Sequence, residues 1–438
     1  MKILKFLILT IAISIIGSAN AQNTFSSLDS LLNYANSKST TLQSGEIKMT
    51  QAKRARLVAI IGVIDPTGNV SYSYTDNTKL PVNLFPAEAF GGAPGTYKEI
   101  KSGVQYNNSY NLTQEVKIFN LPGWSNLKLS KINVDLTSSD NKVTLKTMHE
   151  NIASIYYNIV NLQEQLKATQ QNLSAADTLL QIAQNKFQQC LVKQQDLNDS
   201  RANYLNTKES FNQLKFLLQQ QYLSLKILID IPENDSIAIN QQVISTTLSI
   251  APKIEFNDIA INNSLLKEKT AQVSYRQLMY SKLPVVSVVH SYSGQQYNNS
   301  AKIYNSDGKW FPSQYIGLKL SIPIPSANNV SQTFKAKYDY QLAQQSTEHI
   351  RNKAELEYRQ LGIDFYKALS QWTTNAEVYE LKKDSFEKNL NLYTEGVISL
   401  EQTLNSYNAM VNSNYNSITS AINVLLTKSK IDINNKIK

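Results

Sequence analysis

The sequence predicts an α+β membrane protein: a few strands per chain join those of other copies in a β-barrel, which long coiled-coil helices continue. Three observations predict it. The chain begins with an export signal, it repeats one plan twice, and it carries heptad stripes too long to bury within one compact subunit beside strands with two unlike faces.

The start "MKILKFLILTIAISIIGSANAQ" has Lys2 and Lys5, an apolar run from Phe6 to Ile16, and Ala19-Asn20-Ala21, a small-residue cleavage pattern. Residues 1–21 read as a secretory signal peptide. The apolar run is short for a membrane anchor, and no cysteine follows the cleavage pattern to take a lipid. No later apolar run is long enough for a transmembrane helix, so a membrane crossing here calls for a barrel.

A constant offset of 206 relates the two halves. It places "NLTQEVKIF" (111–119) on "GLKLSIPIP" (317–325) and the segment around Cys190 on "YTEGVISLEQTLN" (393–405). Upstream, Pro66 and Pro284 differ by 218, so most of the length difference lies in about Asp76 to Ser102, which contains "LPVNLFPAEAFGGAPG" and reads as an irregular excursion. The predicted domains are the signal peptide, a first repeat over 22–250 and a second over 251–438.

Each repeat reads as helix, strand, loop, strand, very long helix, break and return helix. The first helix spans roughly Ser27 to Ile61 in one repeat and Asn257 to Lys282 in the other. The second strands alternate: Tyr106, Tyr110 and Leu112 against Asn107, Ser109 and Asn111, with Asn108 out of pattern; Ile316, Leu318, Leu320 and Ile322 against Gly317, Lys319 and Ser321. The first strands follow more loosely, with Val70, Tyr72 and Tyr74 against Ser71, Ser73 and Thr75, and Val286, Val288 and Tyr292 against Ser287, Val289 and Ser291. Such two-faced, tyrosine-rich strands suit a barrel with lipid outside and water within. A soluble sheet with one buried face gives the same alternation. Four strands cannot close around a pore, so several chains contribute.

In the first long helix, Met148, Ile152, Ile155, Ile159, Leu162, Leu166, Thr169, Leu173, Ala176 and Leu180 alternate by three and four, and only Thr169 is polar. In the second, Tyr358, Phe365, Trp372, Tyr379, Phe386 and Tyr393 recur every seventh residue and read as packing, not as a ligand box. From Ile118 to Cys190, and from Ile324 to Gly396, there are 72 steps, roughly 100 Å at about 1.5 Å per residue. Helices of that length need neighbours.

Little suggests catalysis. Cys190 is the sole cysteine, so no intrachain disulfide forms, and His149, His290 and His349 stand far apart. No serine has a supporting histidine and acid, and no glycine-rich phosphate loop occurs. No cofactor or metal is expected. The formal charge of +9 is scattered along the chain and reads as solvated helix faces, with no nucleic-acid partner.

The segments "LPVVSVVHSY" (283–292), "YIGLKLSIPIP" (315–325), "CLVKQQDL" (190–197) and "GVISLEQTL" (396–404), by their placing, duplication and spacing, resemble the TolC family of outer-membrane efflux proteins. The resemblance covers nearly the whole mature chain. It implies a homotrimer whose twelve-stranded barrel, four strands per chain, sits in outer-membrane lipid. A helical tunnel through the periplasm leads to a periplasmic adaptor protein and an inner-membrane pump. The implied role is the passive exit duct of a tripartite efflux or type I secretion system. The family's glycine-aliphatic-aliphatic turns dock on the adaptor, which assigns that role to Cys190, Leu191, Val192, Gly396, Val397 and Ile398. Cys190 departs from the family's glycine. The family's charged constriction falls at Asp196, Asp199, Tyr393, Gln402 and Asn405. The arginine that commonly pairs with such an aspartate falls at Ile398, which implies a closed state less dependent on ion pairs. The alternative from another class is an exported structural coiled-coil protein without a pore.

Overall fold

The computed structural model describes residues 23–241, 252–301 and 308–438. The signal peptide, and the junction of the two repeats near 250, lie outside the described residues. In chain order the elements are β1 (Asn23–Phe25), α1 (Leu28–Lys38), α2 (Thr40–Ile61), β2 (Thr67–Asp76), β3 (Val82–Pro86), β4 (Tyr97–Lys101), β5 (Tyr106–Phe119), α3 (Leu121–Gln188) and α4 (Gln194–Leu228). There follow β6 (Ile237–Ile239), α5 (Ile259–Tyr280), β7 (Val285–Asn298), β8 (Trp310–Ser321), α6 (Ala327–Thr394) and α7 (Leu400–Lys436). The helices α3 and α6 each have 68 residues and begin 206 positions apart, as do α4 and α7. The elements therefore repeat with the offset read from sequence.

The chain forms two compact units, and each repeat contributes to both. One unit, residues 49–137 and 265–346, holds an antiparallel sheet in the order β2-β5-β7-β8. Its joint to the helices is built from short-range polar contacts. Lys117 N–H donates to the Ile64 carbonyl at 2.8 Å, and the Lys117 ammonium pairs with Asp65. Asn120 donates from Nδ2 to the carbonyls of Gly62 (3.3 Å) and Val63 (3.0 Å) and accepts from Gly123 N–H at 3.1 Å. A Cβ on Gly123 would stand 2.4 Å from Asn120 and 2.8 Å from the Gly62 carbonyl oxygen, so no larger residue fits this close approach.

The stretch from Asp76 to Ser102 differs from the irregular excursion expected. β3 and β4 pair as a hairpin, Val82 opposite Lys101 and Phe85 opposite Lys98. One 3-10 turn over Ala87–Phe90 closes it, with Gly91 and Gly95 both at φ 77. The prolines and glycines that hid the alternation are the residues that make the turn.

The second unit, whose described residues are 23–48, 138–241, 252–264 and 347–438, is helical with a small parallel pair, β1 with β6. Its main core packs Met148, Ile152, Tyr156 and Ile159 of α3 against Leu31 and Leu32 of α1, Leu225 of α4, and Ile422 and Ile433 of α7. Thr169, the polar member of the heptad, is buried and satisfied: its hydroxyl donates to the Gln165 carbonyl (2.6 Å) and shares a hydrogen bond with the Tyr415 hydroxyl (2.9 Å). Of the aromatic seam of α6, Phe365, Phe386 and Tyr393 are core, Trp372 and Tyr379 are half-buried, and Tyr358 is exposed. Phe365 packs with Val424 and Ile431, and Phe386 and Tyr393 with Leu179, Leu400 and Tyr407. The long first helix expected from Ser27 is broken instead at Ser39, which is extended (φ −60°, ψ 123°). Asp230 fixes the restart by accepting from Thr40 N–H (2.9 Å) and Oγ1 (2.8 Å).

Candidate functional site, the hairpin tips and the two-faced sheet

The two tips have one geometry. At the end of α3, Cys190 N–H donates to the Phe187 carbonyl (2.9 Å) and Leu191 N–H to the Lys186 carbonyl (2.8 Å). At the end of α6, Gly396 N–H donates to Tyr393 (3.1 Å) and Val397 N–H to Leu392 (2.9 Å). Both are Schellman closures, which need a left-handed residue at the turn. Gly396 takes it with φ 79, and Cys190 takes it with φ 58 although its Cβ makes that conformation costly. The hydrogen bonds fix the turn, and the residue type follows less strictly than the sequence suggested.

This geometry sorts the six turn residues. Leu191 and Val397, the residues just after each left-handed one, are 67% and 66% exposed. Val192 and Ile398 are half-buried, and Ile398 packs onto the core beneath the tip. The exposed Cys190 thiol is free. Each tip therefore presents one bare aliphatic side chain.

The expected constriction residues divide by role. Asp196 and Gln402 occupy the same third position of their return helices. Asp196 accepts from Lys193 N–H at 3.0 Å. Gln402 accepts from Ser399 N–H at 3.4 Å while its own N–H donates to the Ser399 hydroxyl at 3.3 Å, a capping box. Asp199 and Asn405 lie one turn on, and both are exposed. Tyr393 is only 2% exposed, and its hydroxyl has no hydrogen-bond partner among the described residues. Burial, and then the Asp196 carboxylate, push its phenol above the ordinary value. Sequence reading missed Lys186. Its ammonium sits 4.5 Å from the Tyr393 ring centre and donates to the Tyr393 carbonyl, tying the end of α6 to α3. The signal available was a lysine in the last helical turn, where the dipole favours cations.

The sheet, in the other unit, has two unlike faces. Val70 stands opposite Leu112, Leu112 opposite Tyr292, Val116 opposite Val288 and Val288 opposite Leu318, with Ile316, Leu320 and Ile322 exposed on the same face, interrupted by the hydrogen-bonded Gln114, His290 and Gln314. The other face is hydrophilic. The Ser73 and Ser109 hydroxyls lie 2.7 Å apart, Ser291 donates to Asn111 at 3.3 Å, and Lys319 pairs with Glu115 at 3.0 Å. Asn108, out of pattern in sequence, is fully buried and donates to Gln296 at 3.1 Å. Strands β2 and β8 are the edges, paired on one side only among the described residues. No helix among the described residues is long and apolar enough to cross a membrane.

Residues 67–229 match the family of the outer membrane efflux protein. The chain is 23% identical to outer membrane protein TolC of Escherichia coli strain K12 over 346 residues, 72% of this chain and 68% of that one. Its fold is similar to the outer membrane protein VceC of Vibrio cholerae, with a TM-score of 0.74 at 12% identity over 93% of this chain and 95% of the other. It is also similar to the CmeC outer membrane channel of Campylobacter jejuni, with a TM-score of 0.67 at 16% identity over 93% and 85%. Both neighbours share with this chain the fold of a β-sheet part joined to long helices. Within that fold, residues 67–229 carry the outer-membrane efflux family match, and the chain is similar to TolC along most of its length.

Proposed function

We propose that three copies of this chain close a twelve-stranded barrel and continue it as a helical periplasmic tunnel. This assembly is the passive exit duct of a tripartite efflux or type I secretion system. The observation that carries the reading is the four-stranded sheet with two open edges and a bare apolar face. Four strands do not close a pore, and an unpaired edge in lipid is untenable. Three copies make twelve strands and leave no edge, with the apolar face toward lipid and the face of Ser71, Asn111 and Glu115 toward water.

The helices support the same count of neighbours. Leu205, Phe216, Leu223 and Ile227 of α4 recur on one helical face and are exposed, as are Leu356, Ile363 and Leu381 of α6. Adjacent copies cover these stripes. The tips, with Leu191 and Val397 bare, dock on a periplasmic adaptor, and Cys190, Val192, Gly396 and Ile398 hold them in place. Asp196, Asp199, Tyr393, Gln402 and Asn405 border the narrow end. The two sequence repeats, 22–250 and 251–438, are the duplicated halves that give each copy two hairpins. Energy for transport comes from the pump, since a duct of this kind hydrolyses nothing.

Planar-bilayer recording of the purified full chain tests the reading. Discrete ion-conducting insertions, from protein extracted only by detergent, are the expected result. Recovery in the soluble periplasmic fraction, with no conductance, would favour the exported structural coiled coil.

A further inference from the structure

The lysines and arginines scattered through the sequence come together in the sheet-bearing unit. The helical stretches that flank its strands, residues 49–64, 120–137, 265–284 and 322–346, hold eleven lysines and arginines and three carboxylates. That is an excess of eight, against +9 for the whole chain.

Three of the four strand-to-helix connections show the same order, and the fourth interleaves its cations with the apolar residues. Leading away from β2, exposed Ile64, Ile61 and Ile60 come first, then exposed Arg56, Arg54 and Lys53. From β5, exposed Ile118, Phe119 and Trp124 precede Lys128 and Lys131. From β7, exposed Leu283, Tyr280 and Met279 also precede Arg276, with Lys282 lying between Leu283 and Tyr280. From β8, Ile322, Ile324 and Phe334 precede Lys335 and Lys337. On α2 the buried residue is Ala59, so the face centred on Leu57, with Lys53, Arg54 and Ile61, points away from the packing. Lys53, Arg54, Arg56, Lys335 and Lys337 have no acidic partner among the described residues.

We infer that these residues form a phosphate-binding belt that seats the protein on the headgroups of the membrane leaflet at the helix end of the sheet. The inference rests on the barrel reading above. Apolar and aromatic side chains followed within a few turns by cations match the step from hydrocarbon to headgroup, a layer about 5–8 Å thick on each side of a bilayer. Seven residues of helix, from Ile61 back to Arg54, cover roughly 10 Å. A duct wall selecting anions has no reason to begin its basic clusters with bare isoleucine, tryptophan or tyrosine. The occupant is the phosphodiester of an anionic phospholipid.

The test is electron spin resonance of the full chain in phosphatidylcholine bilayers carrying trace spin-labelled phosphatidylglycerol or phosphatidylcholine. The motionally restricted fraction should favour phosphatidylglycerol by about twofold or more at low salt. It should lose the preference near 0.5 M salt, where the Debye length falls to roughly 4 Å. A variant with Lys53→Gln, Arg54→Gln, Arg56→Gln, Lys335→Gln and Lys337→Gln should show no preference. If that variant does not insert, Lys335→Gln with Lys337→Gln alone should show a reduced one. No preference in the unmodified chain, or a preference unchanged in the variants, overturns the belt. So does a cation-ward shift of the variant's reversal potential with the lipid preference intact, which would put the charges on the water side. Absence of restricted lipid of either kind would instead overturn the barrel reading itself.

Discussion

The helices α3 and α6 hold the same place in their repeats and have the same length, yet their own chain covers them differently. From residue 138 onward no large apolar side chain of α3 is exposed, and its stripe is the core of the helical unit. Over the same span α6 buries one face, with Phe365, Phe386 and Tyr393, and leaves another bare, with Leu356, Ile363, Tyr366 and Leu381. Duplication copied the plan and not the burial. Fully burying a leucine or isoleucine contributes about 1.5–3 kcal/mol, so a bare stripe of them supports the proposal that another copy covers it. Under that proposal the two helices separate what folds the subunit from what assembles it.

The largest expected effect lies on the covered helix. Ile152→Ala should remove about 2–5 kcal/mol, as deleting a fully buried aliphatic does, and lower the thermal midpoint in detergent. A change below the equivalent of about 1 kcal/mol, the scale of surface substitutions, would mean α3 is not the core. On the bare helix, Ile363→Glu with Leu381→Glu should leave the far-ultraviolet circular dichroism of the subunit unchanged while native mass shifts from three copies to one. Intact three-copy mass would show that this stripe faces nothing.

The two tips offer a smaller contrast. Gly396→Ala places a Cβ on a left-handed backbone, and Cys190→Gly removes one, so they should shift stability in opposite directions by about 1 kcal/mol each. Equal signs in thermal melts would contradict the shared closure.

The smallest effect is with pH. Burial holds the His149 imidazole below its ordinary value, with the Lys436 ammonium adding to it. The unfolded chain therefore binds more protons, and the associated stability, full above about pH 6.5, is lost as pH falls through the folded value. His149→Gln should flatten the fall in thermal midpoint between neutral and mildly acidic pH. Glu150 and Asp432, raised by burial, contribute the opposite slope at their own window, and in the variant that slope should remain.

Much of this was legible because it is periodic. A fixed offset, a heptad and a two-residue alternation survive in a single sequence whatever the residues between them. The features that escaped are not periodic. Cys190 does not look like a turn residue, and only the hydrogen bonds from Leu191 and Cys190 back to α3 place it in the left-handed region. Pro81, Pro86 and the glycines disguised a regular hairpin as loop. Ser39 interrupts a helix through an aspartate 191 positions away, Asp230. The proposed basic belt is built from four stretches that no sequence window contains together, and Lys186 acts on the ring and backbone carbonyl of Tyr393, 207 positions away.

The ring itself can be tested by its register. If the second strand of each repeat pairs with the first strand of the next, the pairing of Glu115 with Val289 within the chain maps, by offsets of 206 and 218, onto Ser321 with Ser71 of a neighbouring copy. The variant Ser71→Cys, Ser321→Cys, Cys190→Ser, oxidised in the membrane and run under non-reducing denaturing conditions, should give covalent dimers and trimers and nothing larger. Single chains only, from a variant that inserts and conducts normally, would contradict the closed three-copy barrel.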